Sequence, residues 1–258
     1  MTDTHDRLLD PDEPAPVRVE RPHGASPFFL TCDHASNRLP RRLGTLGLQA
    51  QQLRRHIAWD AGAAGVARSL SRRLDATLVL QTYSRLVIDC NRNPEVPDAM
   101  PSVSENIAIP GNRNLPPAHA RARIREVWAP YHDRISRRLD ARERAGRPSV
   151  LVAVHSFTPV YDGERRPWHI GILYNRDPRL ARVLLDLLRG EDHLVVGDNQ
   201  PYRVSDRTDY TIPVHGEGRG IVHVEVEVRQ DLIADRSGQA DWAGRLAELL
   251  TRAHRRMG

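Results

Sequence analysis

Not one lysine occurs among the 258 residues; all 38 basic side chains are arginine. They are spread along helix faces, and aromatics make up only 5% of the chain. A nucleic-acid surface clusters its bases and interleaves rings, so the net charge of +5 reads as a coding bias and no nucleic-acid partner is expected. Long apolar runs are missing too. No stretch reaches the roughly 18 residues that a membrane-spanning helix needs. The first 22 residues are acidic and proline-bearing with no apolar h-region, so no secretory signal is expected. That segment, 1–22, reads as a mobile arm or a cover strand, and 23–258 as a single domain. Cysteine is scarce: Cys32 and Cys90 each end an apolar run, as reduced core thiols do. That excludes a disulfide-stapled scaffold and fits a cytoplasmic location.

What is present is an alternation of strand and helix in a chain that is 40% hydrophobic. Short apolar runs at 28–32, 77–82, 86–90, 150–154, 170–174, 193–196 and 221–228 read as strands. Helical spacing covers 60–74, with Ala64, Val66, Ala67 and Leu70 inward, and also 178–189 and 239–255. The longest helical stretch, 116–144, carries the stripe Ile124, Val127, Tyr131, Ile135 and Leu139 and should kink or break at Pro130. Residues 43–57 hold a short helix. Residues 93–115 contain Pro94, Pro97, Pro101 and Pro110 and little periodicity, the mark of an irregular loop that is either functional or disordered.

Chemistry gathers where strands stop, and in an open α/β sheet ligands bind just beyond the carboxyl ends of strands. The run Phe28 to Cys32 ends in Asp33-His34-Ala35-Ser36-Asn37. His34 beside an acid can be a metal ligand or a general base, although Ser36 or Asn37 could equally be capping a helix. Val150 to Val154 ends in His155-Ser156. Two imidazoles from adjacent strand ends can share one Zn²⁺ with a carboxylate, for which Asp60 and Asp33 are candidates, and leave a water position open. Leu86-Val-Ile-Asp-Cys90 is followed by Asn91 and Arg92. A guanidinium fork there matches a substrate carboxylate, with Arg85 as a second cation, or both are surface and turn residues. The run 221–229 alternates with period 2, so His223, Glu225, Glu227 and Arg229 share a face. As an edge strand it would simply face solvent; beside a metal, one glutamate could activate water. Periodicity does not choose between Glu225 and Glu227.

Taken together, these stretches resemble the N-formylglutamate amidohydrolase family. The likeness is carried by Asp33 to Asn37, His56 to Gly62, Tyr83 to Arg92, His155 to Pro159 and Glu227 to Leu232, in family order after residue 27. The family is similar to the zinc carboxypeptidases and aspartoacylases. The resemblance therefore implies a three-layer α/β/α sandwich with a mixed central sheet, zinc-carboxypeptidase-like (phosphorylase/hydrolase-like). It also implies zinc on His34 and His155, a carboxylate grip by Asn91 and Arg92, and Glu227 as the catalytic glutamate. The wider group takes two ligands from His-x-x-Glu; here the matching positions are His34 and Asn37. Neutral Asn is a poor zinc ligand, so Asp60, which fits the family's own Asp after an aromatic residue, is the expected third ligand, with Asn37 as the alternative. Tyr210, His215 and Arg219 fall in a segment that resembles the family's loop before the last strand and are expected pocket residues.

The activity this implies is metal-dependent hydrolysis of an N-acyl amino acid, N-formyl-L-glutamate going to formate and glutamate. One divalent ion is expected per chain, and a small-molecule substrate is the only partner. The rival is an inactive carboxylate-binding protein on the same fold, favoured by the missing His-x-x-Glu.

Overall fold

The computed structural model describes residues 7–258. In chain order the strands are β1 (Val17–Glu20), β2 (Phe28–Cys32), β3 (Thr77–Gln81), β4 (Val103–Ser104), β5 (Ile107–Ala108), β6 (Val150–Phe157), β7 (Val160–Tyr161), β8 (Glu164–Arg165), β9 (Ile170–Leu173), β10 (Val196–Asp198) and β11 (Val222–Arg229). The helices are α1 (Ala63–Leu74), α2 (Pro117–Arg123), α3 (Ala129–Arg144), α4 (Arg179–Arg189) and α5 (Arg236–Arg256).

A seven-stranded sheet runs β1-β3-β2-β6-β11-β9-β10. Its centre, β3-β2-β6-β11, is parallel, while β1 joins β3 and β9 joins β11 antiparallel. Parallel strands are covered on both faces and read as continuous apolar runs. Accordingly every residue of β2, β3 and β6 is buried. One face, carrying Leu30, Val152 and Val226, packs under α1, α4 and α5. The other, carrying Phe29, Leu151 and Ala153, packs on Tyr131, Ile135 and Leu139 of α3. The sandwich therefore has the three expected layers and a mixed sheet. Among the described residues, no helix is long and apolar enough to cross a membrane.

Several expectations shift. Leu86–Cys90 is no strand. Its amides turn to local and loop carbonyls, Val87 N–H to Ser84 O at 2.9 Å and Asp89 N–H to Ala99 O at 2.7 Å. Its carbonyls are met by side chains: Asn112 Nδ2 donates to Leu86 O at 3.0 Å and the buried Arg123 to Val87 O at 2.9 Å. An apolar run that is buried all round looks like a strand whether or not a ladder holds it. The 43–57 segment forms 3₁₀ turns at 41–43 and 52–54. At Pro130 the long helix widens instead of breaking: one π turn spans Ile124–Trp128 and Pro130 sits in the first turn of α3. The wide turn absorbs the proline, which has no N–H to donate and would crowd the preceding carbonyl. Within the expected arm, residues 1–6 lie outside the described residues. From residue 7 on, Leu8 is buried, Leu8 and Leu9 donate to Glu126 Oε2 at 3.0 and 2.9 Å, and β1 forms the sheet edge.

Candidate active site

Because β2, β6 and β11 are parallel neighbours, their carboxyl ends meet at one edge of the sheet. There the chain opens a cavity of about 490 Å³ lined by His34, Asp60, His155, Glu225 and Glu227. His34 lies two residues past β2 and His155 near the end of β6. Asp60 arrives from the turn before α1, where its N–H donates to His34 O at 3.0 Å. Gly62 makes that turn possible, since its backbone is left-handed (φ +83°) and a Cβ would lie 2.4 Å from Ile233 O.

Asp60 Oδ2 stands between the two imidazoles, 3.3 Å from His34 Nδ1 and 3.0 Å from His155 Nδ1. These side chains form a buried group whose ligand atoms lie within 4.8 Å of one another and could hold a metal ion. The other ring nitrogens are each backed by a carboxylate: His34 Nε2 lies 2.7 Å from Asp89 Oδ1, and His155 Nε2 lies 3.1 Å from Asp33 Oδ2. Carboxylates behind the ligating imidazoles fix tautomer and ring orientation in metal sites. Asp33 is itself held by Tyr131 Oη at 2.6 Å and Thr211 Oγ1 at 3.0 Å. Two imidazoles and the carboxylate of Asp60, all buried, make a donor set that suits a divalent cation.

The electrostatics agree. Burial opposes ionisation of Asp60, yet His34 and His155 hold its carboxyl far below the usual range. Burial likewise opposes the charge on Asp89, and Arg85 with His34 overrides it. Burial disfavours a charged His155, but Glu225, Asp33 and Asp60 raise its pKa well above that of free imidazole. The acids around His155 therefore stabilise positive charge at that ring.

The two glutamates of β11 differ. Alternation does put His223, Glu225 and Glu227 on the face shared with Leu151, Ala153 and His155, through the register His223–Leu151, Glu225–Ala153 and Glu227–His155. The strand is interior, between β6 and β9, so the solvent-edge reading is excluded. Glu225 Oε2 approaches His155 Nε2 to 3.9 Å and so joins the group behind that imidazole. Both Glu225 Oε2 and Glu227 Oε2 are buried without a hydrogen bond. Glu227 differs in having no ion pair among the described residues, and burial pushes its pKa up to about 8.

The expected carboxylate grip is more committed than anticipated. Asn91 Oδ1 accepts from Tyr210 N–H at 3.1 Å and Thr211 N–H at 3.0 Å, while its Nδ2 donates to Asp209 at 3.2 Å. Its amide ties a loop to the cavity wall. Arg85 donates to Asp89 at 2.6 Å and lies 3.6 Å from Asp60, bracing the acids around the histidines. Arg92 lines the cavity, donates to Thr208 O and keeps Asp89 at 3.9 Å.

Four expected pocket residues do not line the cavity. Asn37 donates to Leu53 O at 2.9 Å, so it belongs to the packing of the 3₁₀ turns. Tyr210 packs on Trp128 and His132, with ring centroids 4.7 and 4.5 Å away. His215 stacks on His132, and Arg219 pairs with Asp140 of α3. Sequence reasoning also missed contributors. Asp89 stood in plain view as the one charge inside an apolar run, which is itself a signal. Tyr202, Arg203 and Asp209 also line the cavity, and nothing in their local pattern marks them. The 93–115 loop proves a wall element, supplying Asp98, Val103 and Glu105.

Comparison with known proteins follows the same lines. A family model described as N-formylglutamate amidohydrolase matches residues 26–234. Among solved structures, the gene product Atu2144 from Agrobacterium tumefaciens is 45% identical with a TM-score of 0.95, covering 97% of this chain and 99% of that one. The N-formylglutamate amidohydrolase from Ralstonia eutropha JMP134 shares the fold at 20% identity and a TM-score of 0.73, covering 95% of this chain and 100% of that one. No curated protein matches the chain. The chain belongs to the N-formylglutamate amidohydrolase family.

Proposed function

We propose that this amidohydrolase cleaves the amide bond of N-formyl-L-glutamate or a close N-acyl amino acid, with one divalent ion, zinc by the donor set, held by His34, Asp60 and His155. The observation that carries the reading is the convergence of those buried donors beside the unpartnered carboxylate of Glu227. When bound, Zn²⁺ supplies Lewis-acid polarisation of an amide carbonyl and of water. The protein's own groups do the rest. Asp89 and Asp33 keep the two imidazoles turned with Nδ1 inward. Glu227, buried in the cavity with no ion pair among the described residues, takes a proton from the attacking water on its carboxylate and returns it to the departing amine nitrogen. Arg92, on the same cavity wall, receives the α-carboxylate and sets the register of the scissile bond.

The test combines elemental analysis with formate release. Purified protein should carry one divalent ion per chain and release formate from N-formyl-L-glutamate. His155→Ala should remain folded by circular dichroism yet lose both. Full metal occupancy in that variant would overturn the ligand set. A metal-loaded wild type that binds N-formyl-L-glutamate without releasing formate would instead favour the carboxylate-binding alternative.

A further inference from the structure

Three arginines face the cavity: Arg85, Arg92 and Arg203. The first two are engaged. Arg85 is bound to Asp89 and Asp60, and Arg92 donates to Thr208 O beside Asp89. Arg203 is different: among the described residues it has neither a hydrogen bond nor an ion pair. Asp98, a lining carboxylate from the 93–115 loop, forms no ion pair with it either.

The backbone carrying Arg203 is nevertheless firmly seated. Gln200 O lies where a Cβ on Gly171 or Gly197 would stand, at 2.1 and 2.5 Å, so two strand glycines let this loop lie directly on β9 and β10. On one flank Arg166 stacks over Tyr202 at 4.7 Å and donates to its hydroxyl at 2.8 Å. On the other, Val204 is buried in the core beneath α3. A long cationic side chain on an anchored segment, open to a cavity and lacking an internal acid, is arranged to meet an anion from outside.

Depth assigns which anion. The Arg92 side chain is 27% exposed and stands next to the acids that brace the histidines, whereas Arg203 is exposed at the mouth. In an N-acyl glutamate the α-carboxylate sits beside the amide nitrogen, and the side-chain carboxylate is two methylenes further out. We infer that Arg203 receives the side-chain carboxylate of the substrate and so selects N-acyl amino acids with an acidic side chain. This rests on the proposed function for the identity of the reaction, but the binding claim can be tested apart from it.

The measurement is the ratio of kcat/KM for N-formyl-L-glutamate to that for N-formyl-L-glutamine, on metal-replete protein. The two substrates are near-isosteric and differ by the charge. Arg203→Ala should lower this ratio about ten-fold, mostly through KM, the size expected for one exposed charge-assisted contact. Arg203→Lys should retain an intermediate ratio because it keeps the charge and loses the fork. Arg203→Glu should shift preference toward N-formyl-L-ornithine. A ratio unchanged in all three variants overturns the inference. Calorimetric binding of glutarate and of butyrate separates this from the reaction itself. Wild type should bind glutarate more tightly, and Arg203→Ala should erase the difference. If that holds while no N-formyl substrate is hydrolysed, the proposed reaction falls and the role of Arg203 stands. Equal wild-type affinity for the two acids overturns the role of Arg203.

Discussion

Single side chains in this cavity are separable by what each one would do to the reaction. Arg92→Lys keeps a positive charge but cannot reach both carboxylate oxygens. A charge-assisted hydrogen bond contributes about 1.5–3 kcal/mol, so kcat/KM on N-formyl amino acids should drop roughly ten- to a hundred-fold. The matching α-amides, which never formed that ion pair, should lose far less. Glu227→Gln preserves shape and removes the proton carrier, so it should cost about a hundred- to ten-thousand-fold on both kinds of substrate alike. Comparable damage to acids and amides by Arg92→Lys would show that this arginine supports the Thr208 loop and not the ligand. Residue by residue, the sequence pointed to His34, Asp60 and His155, which the fold brings together, more readily than to the groups that support them. His34 and His155 are legible because an imidazole closes a buried run, whereas Asp60 was expected from the family resemblance. Asn91 and Arg85, expected as substrate contacts, line the cavity and also hold the Tyr210 loop and Asp89. Which partner a polar side chain takes is decided by distant segments, and no local period encodes it.

At the level of elements, close backbone approach is what aims the site. Gly62 takes a left-handed conformation where Asp60 turns into α1, and its missing Cβ makes room for Ile233 O. Gly146, after α3, is also left-handed (φ +63°) but has nothing within 4 Å of where a Cβ would be. The pair isolates packing from conformation. Gly146→Ala should cost only the left-handed penalty, about 1–2 kcal/mol. Gly62→Ala should cost that and a steric clash on top, lowering Tm by several degrees more, at about 2–4 °C per kcal/mol for a chain of this size. It should also weaken metal binding, since Asp60 is two residues away. Equal Tm losses in the two variants would mean that the contact with Ile233 O relaxes freely. The elements themselves were largely legible: β2, β6 and β11 announced themselves as apolar runs, and α1 by its inward stripe. Leu86–Cys90 failed because burial alone, without a ladder, produces the same pattern.

Across the whole molecule, two buried histidines away from the cavity tie α3 to the segment before β11. His132 Nε2 lies 2.8 Å from Cys90 O and so must donate; its Nδ1 then accepts from His215 Nε2 at 3.0 Å. Both rings are neutral in that chain. Burial depresses His132 to a pKa of about 4 and, with His132 beside it, His215 to about 3. Both values lie below the ordinary imidazole value of about 6.5, so at mildly acidic pH the unfolded chain binds more protons than the folded one. Their stability contribution is therefore complete above about pH 6.5 and is lost as pH falls toward about 4, by at most ~1.4 kcal/mol per pH unit for each ring. Urea midpoints measured from pH 7 to pH 4.5 should decline, and His132→Gln should decline less steeply because one titrating ring is gone. Identical slopes would remove this pair from the acid sensitivity and leave it to the cavity groups.

What the sequence determined by itself was most of the central strands and the main helices, together with the chemistry waiting at strand ends. Both are local: a buried strand needs consecutive apolar residues, and a polar side chain after it has nowhere to go but the sheet edge. The parallel order β3-β2-β6-β11 then brings His34, His155 and Glu227 to a single edge. Only the tertiary structure decided that Asp89 backs His34, that β11 is interior, and that Arg203 completes the cavity. Those outcomes depend on irregular loops packed against segments far away in the chain. Their backbone groups are satisfied by individual side chains such as Asn91, Asn112 and Arg123, which follow no repeat.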